Sequence, residues 1–159
     1  MRFAGEGGLE FPGQWELWEE SLQRAMSGRK GQRAFRDLEQ ALLELPEKRL
    51  ISGRLASKGE VCVVGALVAH RRVANGETRE QVLSSLEQMI PEEDQWGYTD
   101  EWEAEQATIL QAESVGLTLT LACTLGYLND EFYKATPEER YEQVLSWVRA
   151  RIIEEPVAA

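Results

Sequence analysis

The sequence predicts an all-α protein, a compact single-domain bundle of six or seven helices with room for one short β-hairpin. Three observations predict it. Apolar residues recur at spacings of three and four along most of the chain, which places them on one face of successive helices. Start and stop signals punctuate those stripes: Pro46 and Pro91 close two of them, and Thr78 and Thr136 open two more. Finally, 159 residues with 43% hydrophobic content are enough to bury a sizeable core.

Taken in order, Trp15, Trp18, Leu22, Ala25 and Met26 line one face of a first helix, and "SGRKGQ" breaks the chain after it. Phe35, Leu38, Leu42 and Leu45 form the stripe of a second helix, which Pro46 ends. The stretch from Leu50 to Val64 is ambiguous. Lys58-Gly59 is turn chemistry, so Leu50, Ile51, Val61, Val63 and Val64 fit either a brief strand pair or irregular chain running into a helix over 61–73. Thr78 with Gln81 is a capping box for a fourth helix, whose stripe is Val82, Leu86, Met89 and Ile90. "PEEDQWGYTDEWEAEQ" reads as an acidic loop entering a helix from Thr99 onward. "VGLTLTLACTLGYLNDE" has strand propensity, but Leu117, Leu121 and Leu125 at steps of four predict a buried helix. Thr136-Pro137-Glu138-Glu139 supplies an N-cap, Pro at N1 and an acid at N3. Tyr141, Val144, Leu145, Val148 and Ile152 follow on one face, with Arg149 and Arg151 where the helix dipole favours cations. The expected organisation is a flexible segment over 1–14, the helical domain over 15–153 and a tail over 154–159.

Charge is unevenly spread. Residues 29–72 carry ten basic side chains against five acidic, whereas residues 77–113 carry eleven acidic against Arg79 alone. The chain as a whole stands at −11. Such a middle either attracts a basic partner or serves as a solvated face. Two cysteines, Cys62 and Cys123, are too few for a disulfide framework and read as reduced thiols in a cytosol. The start lacks the basic and apolar regions of a signal peptide, and the uncharged run 114–129 is too short to span a bilayer. No membrane association is expected.

Few residues offer catalytic chemistry. Cys62 stands at a predicted helix start, where the dipole can lower a thiol pKa, and is the candidate catalytic residue of a cysteine-dependent hydrolase. His70, the one histidine, lies eight residues on. That is a rise of about 12 Å along one helix, too far for a dyad. Asn129 and Asp130 are the alternative orienters, although capping of their own helix's carbonyl end or of the next turn is the leading account of "NDE". One histidine and no clustered cysteines leave no zinc site. Counting from Asp94, a calcium loop needs Gly at the sixth place, and Thr99 stands there. No metal or cofactor is expected. "GRKGQR" sets Arg29, Lys30 and Arg33 around a helix start, where an anion could sit, but it is not a P-loop. Trp96, Tyr98 and Trp102 are interleaved with carboxylates, a composition that suits burial or a protein-binding hot spot.

The blocks "SGRKGQRAFRDLEQALLELPEKRLI", "GEVCVVGAL", "VGLTLTLACTLGYLNDE" and "ATPEERYEQVLSWV" resemble, in that order, a family of small proteins encoded by bacteriophages and prophages. The resemblance implies a mobile-element origin and the bacterial cytoplasm, and it implies no reaction. The acidic stretch over 89–112 is bulkier here than in the family pattern, which makes it the place to meet a specific partner. The leading expectation is therefore an accessory protein that binds a host protein stoichiometrically and inhibits a nucleic-acid-dependent defence, of anti-CRISPR or anti-restriction type. Glu92, Glu93, Asp94, Trp96, Tyr98, Asp100, Glu101, Trp102, Glu103 and Glu105 would mimic nucleic acid on the host protein's basic surface. The alternatives are the Cys62 hydrolase and a nucleic-acid-binding module using Lys30, Arg33, Arg36, Lys48, Arg49 and Arg54. Acidic and basic stretches on one chain also allow two copies to pair as a homodimer.

Overall fold

The computed structural model describes residues 14–89, 101–131 and 135–154. The described chain is mostly α-helical, as the periodicity predicts, with a single two-stranded antiparallel sheet. In chain order the elements are α1 (Gln14–Ser27), α2 (Arg29–Leu43), β1 (Ala56–Ser57), β2 (Glu60–Val61), α3 (Val63–Ala74), α4 (Arg79–Gln88), α5 (Glu101–Ser114), α6 (Leu119–Glu131) and α7 (Pro137–Arg151). Among the described residues no helix is long and apolar enough to cross a membrane.

The core is built around α3. Its first seven residues, Val63 to Ala69, are all buried, and a helix apolar on every side must be surrounded by others. Accordingly α2, α4, α5 and α6 all pack against it. On α2 the buried side includes Ala34, Phe35, Leu38, Ala41 and Leu42; Leu45, expected in the same stripe, is buried but lies beyond the helix, which ends at Leu43. Full burial of Phe35 or either leucine contributes roughly 1.5–3 kcal/mol. Phe35 meets Trp147 of α7 edge to face, ring centroids 5.8 Å apart, and the Tyr141 hydroxyl donates to the Leu42 carbonyl at 3.1 Å. Leu117, Leu121 and Leu125 are buried in and just before α6, which is a helix despite its strand propensity. Burial against α1, α3, α5 and α7 outweighs the intrinsic preference of its threonines.

The capping signals act as predicted. Thr78 and Gln81 form a reciprocal capping box, and Thr136 accepts from the Glu139 amide at 3.1 Å with Pro137 in the first turn. Lys58 and Gly59 both have positive φ, 51° and 81°, the requirement of a tight hairpin turn, so Ala56 pairs with Val61 and Ser57 with Glu60. Leu50 and Ile51 stay outside the strands, although the Ile51 amide bonds the Val61 carbonyl.

Two expectations need correction. The break after α1 is one residue, Gly28, and "RKGQ" is already helix. The tight corner works because Gly31 has no side chain: a Cβ there would lie 1.7 Å from the Ala25 carbonyl oxygen. Helix α3 begins at Val63 rather than Val61, because Cys62 is its N-cap and the hairpin holds Val61. Within α3, Gly65 is packed on the backbone of Leu55: a Cβ would lie 2.1 Å from its carbonyl oxygen.

Candidate functional site

Of the expected partner-binding residues, Glu92, Glu93, Asp94, Trp96, Tyr98 and Asp100 lie outside the described residues, as do the side chains of Glu101 and Trp102. The rest of the acidic stretch is carried by α4 and α5, both packed on α3. On α5, Glu103, Leu110 and Glu113 are exposed and share one face by their helical spacing, Leu110 at 62% exposure. Glu105 lies on the opposite side of the helix, half-buried, in the wall of a cavity. The predicted set is therefore divided between an outer face and an interior one. Elsewhere in the stretch, Glu77 grips Arg72 with both oxygens, at 2.6 and 2.7 Å. The guanidinium holds that carboxyl below its ordinary range. Glu87 accepts the Gly59 amide at 3.1 Å and so steadies the hairpin turn.

The cavity behind Glu105, about 230 Å³, is where sequence placed its catalytic candidate. Cys62, Asn129, Asp130, Thr108 and Arg54 also line it, so Asn129 and Asp130 do approach Cys62 in space. Their chemistry there is not that of a nucleophile's helpers. Cys62 is buried as the N-cap of α3, its sulfur taking the Gly65 amide at 3.4 Å. Desolvation, reinforced by the nearby Asp130 charge, pushes the thiol up to about 12, so the helix-start lowering expected from sequence is overwhelmed. His70 is at the far end of α3, its Nδ1 3.4 Å from Glu44. Cys123 is likewise pushed up, chiefly by burial.

Asn129 is committed to structure. Its Oδ1 accepts the Val63 amide at 3.0 Å and its Nδ2 donates to the Ile51 carbonyl at 2.9 Å. Asn129 thus caps the amide end of α3 rather than the carbonyl end of its own helix or the next turn, where the sequence led one to look for it. Arg140 completes the arrangement, a residue that the sequence reading does not single out. It is buried and donates to the Asn129 and Leu50 carbonyls at 3.1 and 2.8 Å. Burial lowers its pKa from the ordinary guanidinium value.

The basic residues do not make one surface. Lys48 donates to the Leu43 and Leu45 carbonyls at the end of α2, and Arg49 lies 2.9 Å from Glu60 and 3.4 Å from Glu138. Arg54 lines the cavity beside Cys62. Lys30, Arg33 and Arg36 stand together at the other end of α2 and are joined there by Arg71 and Arg72 of α3. Comparison with protein-family models, curated proteins and solved structures finds no match for this chain. The geometry alone therefore carries the functional argument. It offers an acidic outer face, a committed interior and a basic end.

Proposed function

We propose that the chain acts stoichiometrically as a binding protein, its acidic region occupying the basic, nucleic-acid-binding surface of a host protein. The most concrete form is a phage-encoded inhibitor of a nucleic-acid-dependent defence in the bacterial cytoplasm, of anti-CRISPR or anti-restriction type. The observation that carries the reading is the outer face of α5, where Glu103 and Glu113 flank the exposed Leu110. Carboxylates on a rigid helix steer a cationic partner, and an apolar side chain among them gives a contact that free nucleic acid lacks. The adjoining Glu92, Glu93, Asp94, Trp96, Tyr98, Asp100, Glu101 and Trp102 extend the same chemistry in sequence. Burial, which pushes the Cys62 thiol up to about 12, favours this reading over the cysteine-hydrolase alternative.

The test is a tagged pull-down from a bacterial host, followed by affinity measurement on the captured protein. Glu103→Lys/Glu113→Lys should weaken binding at least about tenfold, and binding should fall as salt rises, since opposite charges at a rim are screened. Expression should also raise phage plating on a strain with active CRISPR interference or restriction. Affinity unchanged by the charge reversals, together with unchanged plating, overturns the reading.

A further inference from the structure

The basic end of the molecule has its own geometry. Two grooves, of about 740 and 670 Å³, meet along the first turns of α2 and share Arg33 and Asp37. One runs between α2, the end of α3 and the α5–α6 turn; the other runs between the α1–α2 corner and residues 153–154. Six cations line the joined trough: Arg29, Lys30, Arg33, Arg36, Arg71 and Arg72. Two acids, Asp37 and Glu154, line it with them.

Part of that charge is already used. Arg71 binds Asp37 at 3.0 Å and the Val115 carbonyl, Arg72 binds Glu77, and Arg36 reaches the Ile153 carbonyl at 2.8 Å. No ion pair among the described residues holds Arg29, Lys30 or Arg33. These three stand in the first two turns of a helix whose first turn has no acid and whose N-cap, Gly28, offers no side chain. Cations at the positive end of a helix dipole oppose folding. In the same chain α7 follows the dipole rule, with Glu138 and Glu139 in its first turn and Arg149 and Arg151 in its last. A local rule broken in the open, on a chain of net charge −11, marks a place where charge serves something other than the fold.

We infer that this trough binds the phosphodiester backbone of a nucleic acid. A row of cations across two joined grooves suits a ligand with repeating negative charges better than one small anion. The dipole of α2 adds to the attraction. The acidic helices α4 and α5 pack on α3, and the end of α5 reaches the trough at Ser114, so the acids of α5 reduce its field and salt screens both signs.

The test is fluorescence anisotropy with a labelled 20-nucleotide single strand of mixed sequence, and with its duplex, in 0.1 M KCl. Unmodified protein should bind at least one of them with a Kd of about 1–100 μM, the range of sequence-independent contacts. Lys30→Glu should weaken binding about fivefold or more, and Lys30→Glu/Arg33→Glu should bring it close to the detection limit. The slope of log affinity against log salt should fall by about 0.7 per lost cation for the single strand. Lys58→Glu is the matched control, an exposed lysine at the hairpin turn with the same change of net charge; it should cost less than about twofold. Far-UV circular dichroism checks that each variant folds. Glu103→Lys/Glu113→Lys should leave oligonucleotide binding no weaker, which separates this inference from the acidic-face reading. Absence of binding by unmodified protein at 100 μM (about the weak limit of such contacts) overturns the inference. So does equal weakening by Lys58→Glu and Lys30→Glu, or a trough needed only for pairing between two copies in sedimentation.

Discussion

Asn129 holds together parts of the chain that are 66 and 78 residues away from it. Replacing it with alanine strands the Val63 amide and the Ile51 carbonyl, and a buried polar group left without a partner costs about 1–3 kcal/mol. Asn129→Ala should therefore lower unfolding stability by about 2–5 kcal/mol in urea denaturation. A loss below about 0.5 kcal/mol, the size of an ordinary surface change, would show the bonds to be dispensable. Cys62 gives a second residue-scale prediction, in pH. Below pH 9 both folded and unfolded chains keep this proton, and the group adds no slope. Between about 9 and 12 the unfolded chain releases it while the folded chain does not, so stability falls as pH rises. The slope approaches 1.4 kcal/mol per pH unit. Between pH 8.5 and 10.5, Cys62→Ala should lose about 2 kcal/mol less stability than the unmodified protein; equal losses would refute the burial argument. Cysteine and asparagine were both visible in sequence as candidates. The bonds of Asn129 to Val63 and Ile51 were not, because a contact across 66 residues leaves no spacing to read.

Among the elements, legibility followed the range of the interaction. The capping box at Thr78 and the N-cap at Thr136 act within three residues, and both are legible in the sequence. Thr136→Ala should cost about 1 kcal/mol, the usual worth of an N-cap. The corner at Gly28 and the hairpin against α3 depend on close approach between backbones, which composition marks only as glycine. Gly65→Ala would force its methyl onto the Leu55 carbonyl, an overpacking that costs about 1–3 kcal/mol. Equilibrium denaturation should show it, and unchanged stability would mean that the hairpin can retreat from α3. The basic start of α2 was also visible, as "GRKGQR". Its meaning needed the fold, because Arg71 and Arg72 reach the same trough from α3, about forty residues later in the chain.

For the molecule as a whole, charge is segregated rather than simply excessive. Basic side chains collect where α2 begins and α3 ends, while acids occupy α4 and α5. A net charge of −11 makes the folded chain repel itself, and salt relieves that repulsion. The urea midpoint should therefore rise between 10 mM and 300 mM NaCl, a range across which the screening length shortens from about 30 Å to below 10 Å. A falling midpoint would mean that ion pairs such as Arg72–Glu77 and Arg149–Glu39 outweigh the repulsion. The charge map was the most legible property of all, since a count along the chain needs no fold. Its division into an outer acidic face, a cavity wall and a trough was not, because neighbouring residues of one helix face opposite ways.

Arg140 has a consequence for the order of synthesis. The carbonyls of Leu50 and Asn129 find their donor only in the last helix. A ribosome that has exposed α1 to α6 has delivered nearly all of the apolar surface and none of this guanidinium. Closure of the fold must then wait for α7 itself. Nascent chains arrested with residue 130 just outside the exit tunnel should remain open to protease, and those with residue 151 outside should resist it.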